Sequence, residues 1–448
     1  MPAKRKFRKK KTAKGKRTLS VFIIVILLII AAIAVMYFSW KKSIDTFNIG
    51  YTHEIQTSKG KVSYSTIGDG AVILLIHGEG TGLMDILKYK EIAAAGYKII
   101  CPSRPGYPGT SIELGKTPEE QSEVILSFLK ALDINTPVIV ITESLGGPVA
   151  LTFCRRFPDR VKAFITFDAL ASPLKHDLDY TFNSSLSIGG KEYPGIFNNF
   201  LSYYYAKLRP SYTFQKFLKN QTTFNADECE KYAANIMIHG NEKDKFYTFL
   251  KTTLPSKSRA DGLENDIIVA RGFKPAGLTL ISSPVYVFQT DNSSLIPVKN
   301  GTNISKPINN SILYTYKGNG SLFWIGTEWE DIKVRILSFL KESIATSKKE
   351  TGIFSTWISM DDGTMLTFRN DGTFVVEFPS VENNKTWNGK YTFEDERILI
   401  YFTENDSICN MKIGEYVLTF PDKNLVLKEK KDKCKTRRKK LEGSWFRL

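Results

Sequence analysis

A strand-like run ending in a serine and two glycines carries the strongest chemical signal in this chain. Val138 to Ile141 is continuously apolar, Thr142 and Glu143 follow, and Ser144-Leu145-Gly146-Gly147 opens what reads as a helix. So tight a strand-to-helix turn needs small residues two before and two after the serine, and it lifts the hydroxyl above the sheet. Gly146 meets this demand, whereas Thr142 stands where glycine is usual. The turn also aims the Leu145 N–H and the helix N-terminus at the place where an oxyanion would form during attack by Ser144 on a carbonyl. Ser-x-Gly-Gly alone is more often an ordinary strand-turn-helix, so the reading depends on what else converges on it.

The elements that would position Ser144 are legible from periodicity. His53 to Gly70 reads as a hairpin with turns at Lys59-Gly60 and Gly68-Asp69-Gly70. Apolar runs at Val72–Ile76, Lys98–Cys101, Val138–Ile141, Ala163–Phe167, Pro284–Phe288 and Ile312–Tyr316 predict buried parallel strands. Between them fall a helical stretch near Met84–Ala95, a helix opened by the capping box Thr117-Pro118-Glu119-Glu120, another to about Phe157, and a last one over Trp329–Ser343. This alternation predicts an α/β fold with a parallel sheet and right-handed crossovers. From 172 to 276 the strand pattern stops and gives way to helical, aromatic sequence, including Phe197, Phe200, Tyr203, Tyr204 and Tyr205, which predicts an inserted cap. The first core thus spans residues 50–345. After a Lys/Ser/Thr-rich linker at 346–351, residues 351–448 show short alternating strands with turn signals at Asp362-Gly363, Asp371-Gly372 and Asn388-Gly389, predicting a small antiparallel barrel or sandwich.

Over residues 60–343 these motifs resemble the α/β-hydrolase superfamily. The resemblance rests on Thr142-x-Ser144-x-Gly146, on His77-Gly78-Glu79-Gly80 after the Val72–Ile76 run, on Pro102-Ser-Arg-Pro-Gly106-Tyr-Pro-Gly109-Thr-Ser111, and on Phe157-Pro-Asp-Arg160-Val161. It implies Ser144 as nucleophile, the N–H groups of Leu145 and of Glu79 or Gly80 as the oxyanion hole, and His77 as a structural residue. It also implies an acid, then a histidine, later in the chain. Asp291 falls where the acid belongs, with Asn292 or Ser293 as alternatives for the true position and Asp168 as another acid. The histidine's place is taken by Ser321, in Lys317-Gly318-Asn319-Gly320-Ser321. The chain has only His53, His77, His176 and His239. A serine hydroxyl needs a base within hydrogen-bond reach, and Ser321 cannot be that base. His176, at the start of the cap, is the remaining candidate, although a solvated or structural role suits it better. Two functions stay open: a serine hydrolase acting on an ester or amide, or a binding or scaffold protein of the same fold. The C-terminal segment only loosely resembles lipocalin-like barrels.

The net charge of +16 does not mark a nucleic-acid binder. The runs 4–17 and 428–440 carry +10 and +7, so the rest of the chain sums to −1 and offers no broad phosphate-binding face. Between a basic tail (1–20) and the folded core, residues 21–40 form an apolar run of about bilayer-spanning length. The excess of Lys and Arg before it predicts a cytoplasmic N-terminus with the remaining domains outside the cytoplasm, and Tyr37 and Trp40 sit where interfacial aromatics do. A cleaved signal peptide at Ala32-Ile33-Ala34 is the competing reading. Of five cysteines, Cys409 and Cys434 share the C-terminal segment and are able to pair outside the cytoplasm. No Cys/His spacing predicts a metal site, no cofactor is expected, and the expected partner is a small-molecule or lipid-like substrate or ligand.

Overall fold

The computed structural model describes residues 13–174, 196–308, 310–350, 356–369, 372–379, 385–394, 397–403, 409, 412–419 and 424–447. A single helix, α1 (Ala13–Ile49), carries the apolar run and continues past it without a break. The sheet begins with the hairpin β1 (His53–Thr57) and β2 (Gly60–Ile67), followed by β3 (Ala71–Ile76). A 3-10 turn and the short α2 (Lys90–Ala94) lead to β4 (Tyr97–Pro102) and α3 (Pro118–Ala131). The Thr117 capping box forms as its sequence predicts, with Thr117 and Glu120 each satisfying the other's backbone N–H. Next come β5 (Val138–Glu143), α4 (Gly147–Arg156) and β6 (Val161–Phe167).

Five helices then interrupt the alternation: α5 (Ile196–Leu208), α6 (Pro210–Gln221), α7 (Ala226–Met237), α8 (Gly240–Thr252) and α9 (Ala260–Gly272). The sheet resumes with β7 (Val285–Thr290), α10 (Lys299–Ser305), β8 (Ser311–Tyr316) and α11 (Glu328–Glu350). Strand order is β1-β2-β4-β3-β5-β6-β7-β8, antiparallel at β1-β2 and β2-β4 and parallel throughout the rest. Continuous apolar strands follow from having both faces covered. Ile73, Leu75, Ile139 and Ile141 join the core on one side, and Leu74, Ile76, Val138 and Val140 join the core on the other.

The C-terminal strands β9 (Thr356–Ser359), β10 (Met365–Phe368), β11 (Thr373–Phe378), β12 (Lys385–Glu394), β13 (Arg397–Phe402), β14 (Gly414–Thr419), β15 (Leu425–Lys431) and β16 (Gly443–Arg447) close into a barrel, with α12 (Lys435–Leu441) before the last of them. Its interior holds Trp357, Phe374, Tyr416 and Trp445. Two local expectations need correction. Asn388-Gly389 is no turn but lies mid-strand in β12, because a Cβ at Gly389 would sit 2.3 Å from the Phe374 ring. The stretch expected as a linker from 346 continues α11 to Glu350, since no glycine or proline interrupts it. Within the basic run 428–440, Arg437 is fully buried, pairing with Asp432 through Nε and Nη2. Cys409 and Cys434 are joined in a disulfide, and Cys101, Cys154 and Cys229 are free and buried.

Helix α1 meets the inserted helices at its far end. Trp40 and Ile44 are buried there, while Val21 to Ile33 are exposed on every side. The Asn48 side-chain amide donates to the Leu254 carbonyl, 3.1 Å away, beyond the end of α8.

Candidate functional site

Ser144 sits on the turn between β5 and α4 with φ of +43°, in the left-handed region that few non-glycine residues occupy. Such strain persists where surrounding contacts fix it. Here a Cβ at Gly146 would lie 2.5 Å from the His77 carbonyl, and one at Gly147 2.7 Å from the Leu170 backbone, so only glycine permits this approach. The departure at Thr142 is accommodated because its hydroxyl donates to the Ile76 carbonyl, 3.0 Å away on β3.

Glu79 reaches this turn with its side chain. Ser144 Oγ donates to Glu79 Oε1 and the Leu145 N–H donates to Glu79 Oε2, each at 3.1 Å. The carboxylate therefore occupies the position where the Leu145 N–H would meet an oxyanion, a contact that sequence reasoning missed by assigning Glu79 only a backbone role. The Gly78 N–H is engaged as well, donating to Asp85 Oδ2 at 3.2 Å.

His77 is structural. Its Nδ1 lies 2.7 Å from the Gly78 carbonyl, and its Nε2 is 2.9 Å from the Arg104 N–H, which fixes a neutral ring with the proton on Nδ1. Burial, reinforced by the Arg104 charge, holds its pKa well below the usual histidine value. His53 and His239 are exposed, and His176 lies outside the described residues.

Ser321 lines the same small nook as Ser144, Glu79, Lys88, Glu143, Phe217 and Phe249. Its hydroxyl donates to Gln221 Oε1 at 3.0 Å, so the end of α6 fills the space around the expected histidine position. Asp291 does not join this group. It is exposed on the loop after β7, where its N–H donates to the Tyr316 carbonyl. Asn292 next to it is buried and clasps Gly318 through both backbone groups, at 2.9 and 3.0 Å. The Asp168 carboxylate accepts from the Thr290 N–H, the Thr290 hydroxyl and Gln289 Nε2, which ties β6 to β7.

A charged network beneath the nook also escaped the sequence reading. Lys88 bridges Asp85 and Glu143, and the Tyr89 hydroxyl donates to Glu143 at 2.6 Å. Burial pushes the Glu143 pKa up, aided by Asp85 and opposed by Lys88, while the two carboxylates outweigh burial and raise Lys88. Burial likewise pushes Asp168 up to about 7. A carboxyl whose folded pKa exceeds its unfolded one stabilises the fold most in acid, and that contribution is lost as pH rises through the folded value. Glu143→Gln is therefore expected to shrink the loss of thermal stability between pH 5.5 and 8, measured by melting at each pH. An unchanged difference would show that Glu143 stays ionised throughout.

Beyond Lys88 and Phe249 opens a cavity of about 390 Å³, lined by Met84, Lys245, Thr252, Trp324 and Trp329 among others. Lys88 Nζ lies 4.6 Å from the Trp324 ring centroid. Among the described residues, no cluster of His, Cys, Asp and Glu is arranged to hold a metal ion.

Residues 71–323, more than half of the chain, match the alpha/beta hydrolase fold family. The chain belongs to that family. This hydrolase-fold protein is 24% identical over 291 residues to the uncharacterized hydrolase YcgS of Bacillus subtilis (strain 168), covering 63% of this chain and 95% of that one. Among solved structures it resembles an alpha/beta hydrolase fold protein from Nakamurella multipartita, with a TM-score of 0.57 and 21% identity over 64% of this chain and 97% of the other. At that identity the likeness speaks for the fold alone.

Proposed function

We propose that this is a single-pass membrane protein, with its N-terminus in the cytoplasm and its folded domains outside, whose Ser144 site binds a small or lipid-like molecule without hydrolysing it. The observation that carries the reading is the Glu79 carboxylate on the Leu145 N–H. That bond uses the N–H an oxyanion would need, and the carboxylate's negative charge beside it opposes the charge that develops in acyl transfer. With Ser321 and Gln221 at the expected base position, no imidazole among the described residues relieves the deficit. The neighbouring cavity is within the usual size range for small-molecule sites, and Trp324, Trp329 and Lys88 give it aromatic walls with a fixed cation. The apolar run of α1, its basic lead and the Cys409–Cys434 bridge support the topology.

The full-length protein in membranes is expected to show no fluorophosphonate labelling above that of Ser144→Ala. Labelling that disappears in Ser144→Ala would overturn the binding reading. The 3.1 Å contact from Ser144 to Glu79 favours one second reading, a hydrolase in which Glu79 itself takes the proton. That reading requires labelling in the native protein and its loss in Glu79→Gln.

A further inference from the structure

Helix α5 packs against α1 where the apolar run ends. The Phe200 ring meets both Tyr37 and Trp40 edge-on, each at a centroid distance of 5.6 Å, and Trp40 also contacts Tyr203. At 1.5 Å per residue, Val21 to Trp40 covers about 30 Å, the thickness of a bilayer's hydrocarbon core. The Tyr37 and Trp40 rings thus mark the boundary of the span, and the Phe200–Tyr203 part of α5 is held against them.

Another side of α5 is apolar and, among the described residues, uncovered. Leu201, Tyr205 and Leu208 recur one turn apart and are 39%, 39% and 79% exposed, and Tyr212 in the first turn of α6 continues the row at 44%. The Tyr205 and Tyr212 rings touch, with centroids 6.2 Å apart. From 196 to 221 the chain carries Lys207, Arg209, Lys216 and Lys219 and no acidic residue. Apolar and aromatic side chains among cations, without carboxylates, suit a phospholipid surface: rings and aliphatic groups enter the head-group boundary, and the cations meet phosphate.

We propose that α5 and the first turn of α6 rest on the outer leaflet of the membrane that α1 crosses, with Leu201, Tyr205, Leu208 and Tyr212 seated in its boundary. This rests on the anchor reading above. The lipid surface is the favoured occupant because α5 is already fixed beside the boundary rings of α1, and because the segment that carries the row, 196–221, has cations and no carboxylate.

The test uses the full-length protein in vesicles of phosphatidylcholine and phosphatidylglycerol, carrying an environment-sensitive fluorophore on Leu208→Cys or, separately, on Leu28→Cys. The native free thiols are buried and Cys409–Cys434 is bridged, so labelling is confined to the new cysteine. A nitroxide carried on the lipid chains is expected to quench most of the emission at both positions, and aqueous iodide at neither. If position 28 is quenched from the lipid but position 208 by iodide, the anchor stands and the surface proposal falls. If position 208 is shielded from both quenchers, a protein covers the row, and the proposal also falls. If position 28 is not quenched from the lipid, the anchor reading fails and takes this inference with it. Tyr205→Asp, at an exposed position, is expected to move the label at 208 from lipid-quenched toward iodide-quenched.

Discussion

Ser321→His combined with Glu79→Ala is expected to switch on fluorophosphonate labelling of Ser144, raising its rate by ~10²-fold or more over the native protein, the lower end of what a positioned base contributes. Each change removes a different obstacle. Glu79→Ala frees the Leu145 N–H for a developing oxyanion, and Ser321→His supplies an imidazole in the nook that Ser144 lines. Neither single variant should label, because one lacks a base and the other keeps a carboxylate in the oxyanion position. Full hydrolase rates are not expected. Asn292, not an acid, holds the Gly318 loop, and loss of the orienting aspartate alone costs ~3 × 10⁴-fold in subtilisin, where it has been measured. A folded double variant as inert as the native protein would mean that the strained serine turn has lost more than its base.

Arg104→Met should cause the largest loss of stability. Both guanidinium Nη atoms of Arg104 donate to Asp266 at 2.6 Å, Nε donates to the His77 carbonyl, and Nη2 also reaches the Gly78 carbonyl. The Tyr107 hydroxyl completes the set on Asp266. One side chain thus pins α9 to the loop that carries Glu79. Removing it leaves the Asp266 charge buried with a single hydroxyl, a situation that costs about 3–5 kcal/mol. For a domain of this size that corresponds to a melting point lower by roughly 10 °C. Replacing both partners, Arg104→Met with Asp266→Leu, should recover part of the loss, since no unpaired charge remains. A single variant that melts with the native protein would show that water already serves Asp266.

Much of this architecture was written in local pattern. Strand runs from Val72 to Tyr316, the Thr117 capping box and the Ser144–Gly146 turn depend on neighbours in sequence, so periodicity and turn chemistry reveal them. The site was less legible because its decisive contacts join residues far apart. Nothing local says that the Glu79 side chain crosses to Ser144, that Lys88 lies between Asp85 and Glu143, or that Gln221 from the inserted helices meets Ser321. Asp291 was chosen by order along the chain, yet the structure buries Asn292 and leaves Asp291 in solvent, a difference of one residue that spacing cannot resolve. Asn388-Gly389 misled for a similar reason: a glycine required by a ring on the adjacent strand has the same letters as one required by a hairpin.

Helix α1 runs on for nine residues after Trp40, about 14 Å, and is clamped to the folded body by Trp40, Ile44 and Asn48. A glycine-serine leash of equal length would let its cargo wander and tumble. Under the anchor reading proposed above, this rod denies such freedom, and the body would keep one height and one heading over the lipid. Encounters would then be confined to whatever diffuses within a thin layer beside the bilayer, and a target bound farther out would have to come down to it.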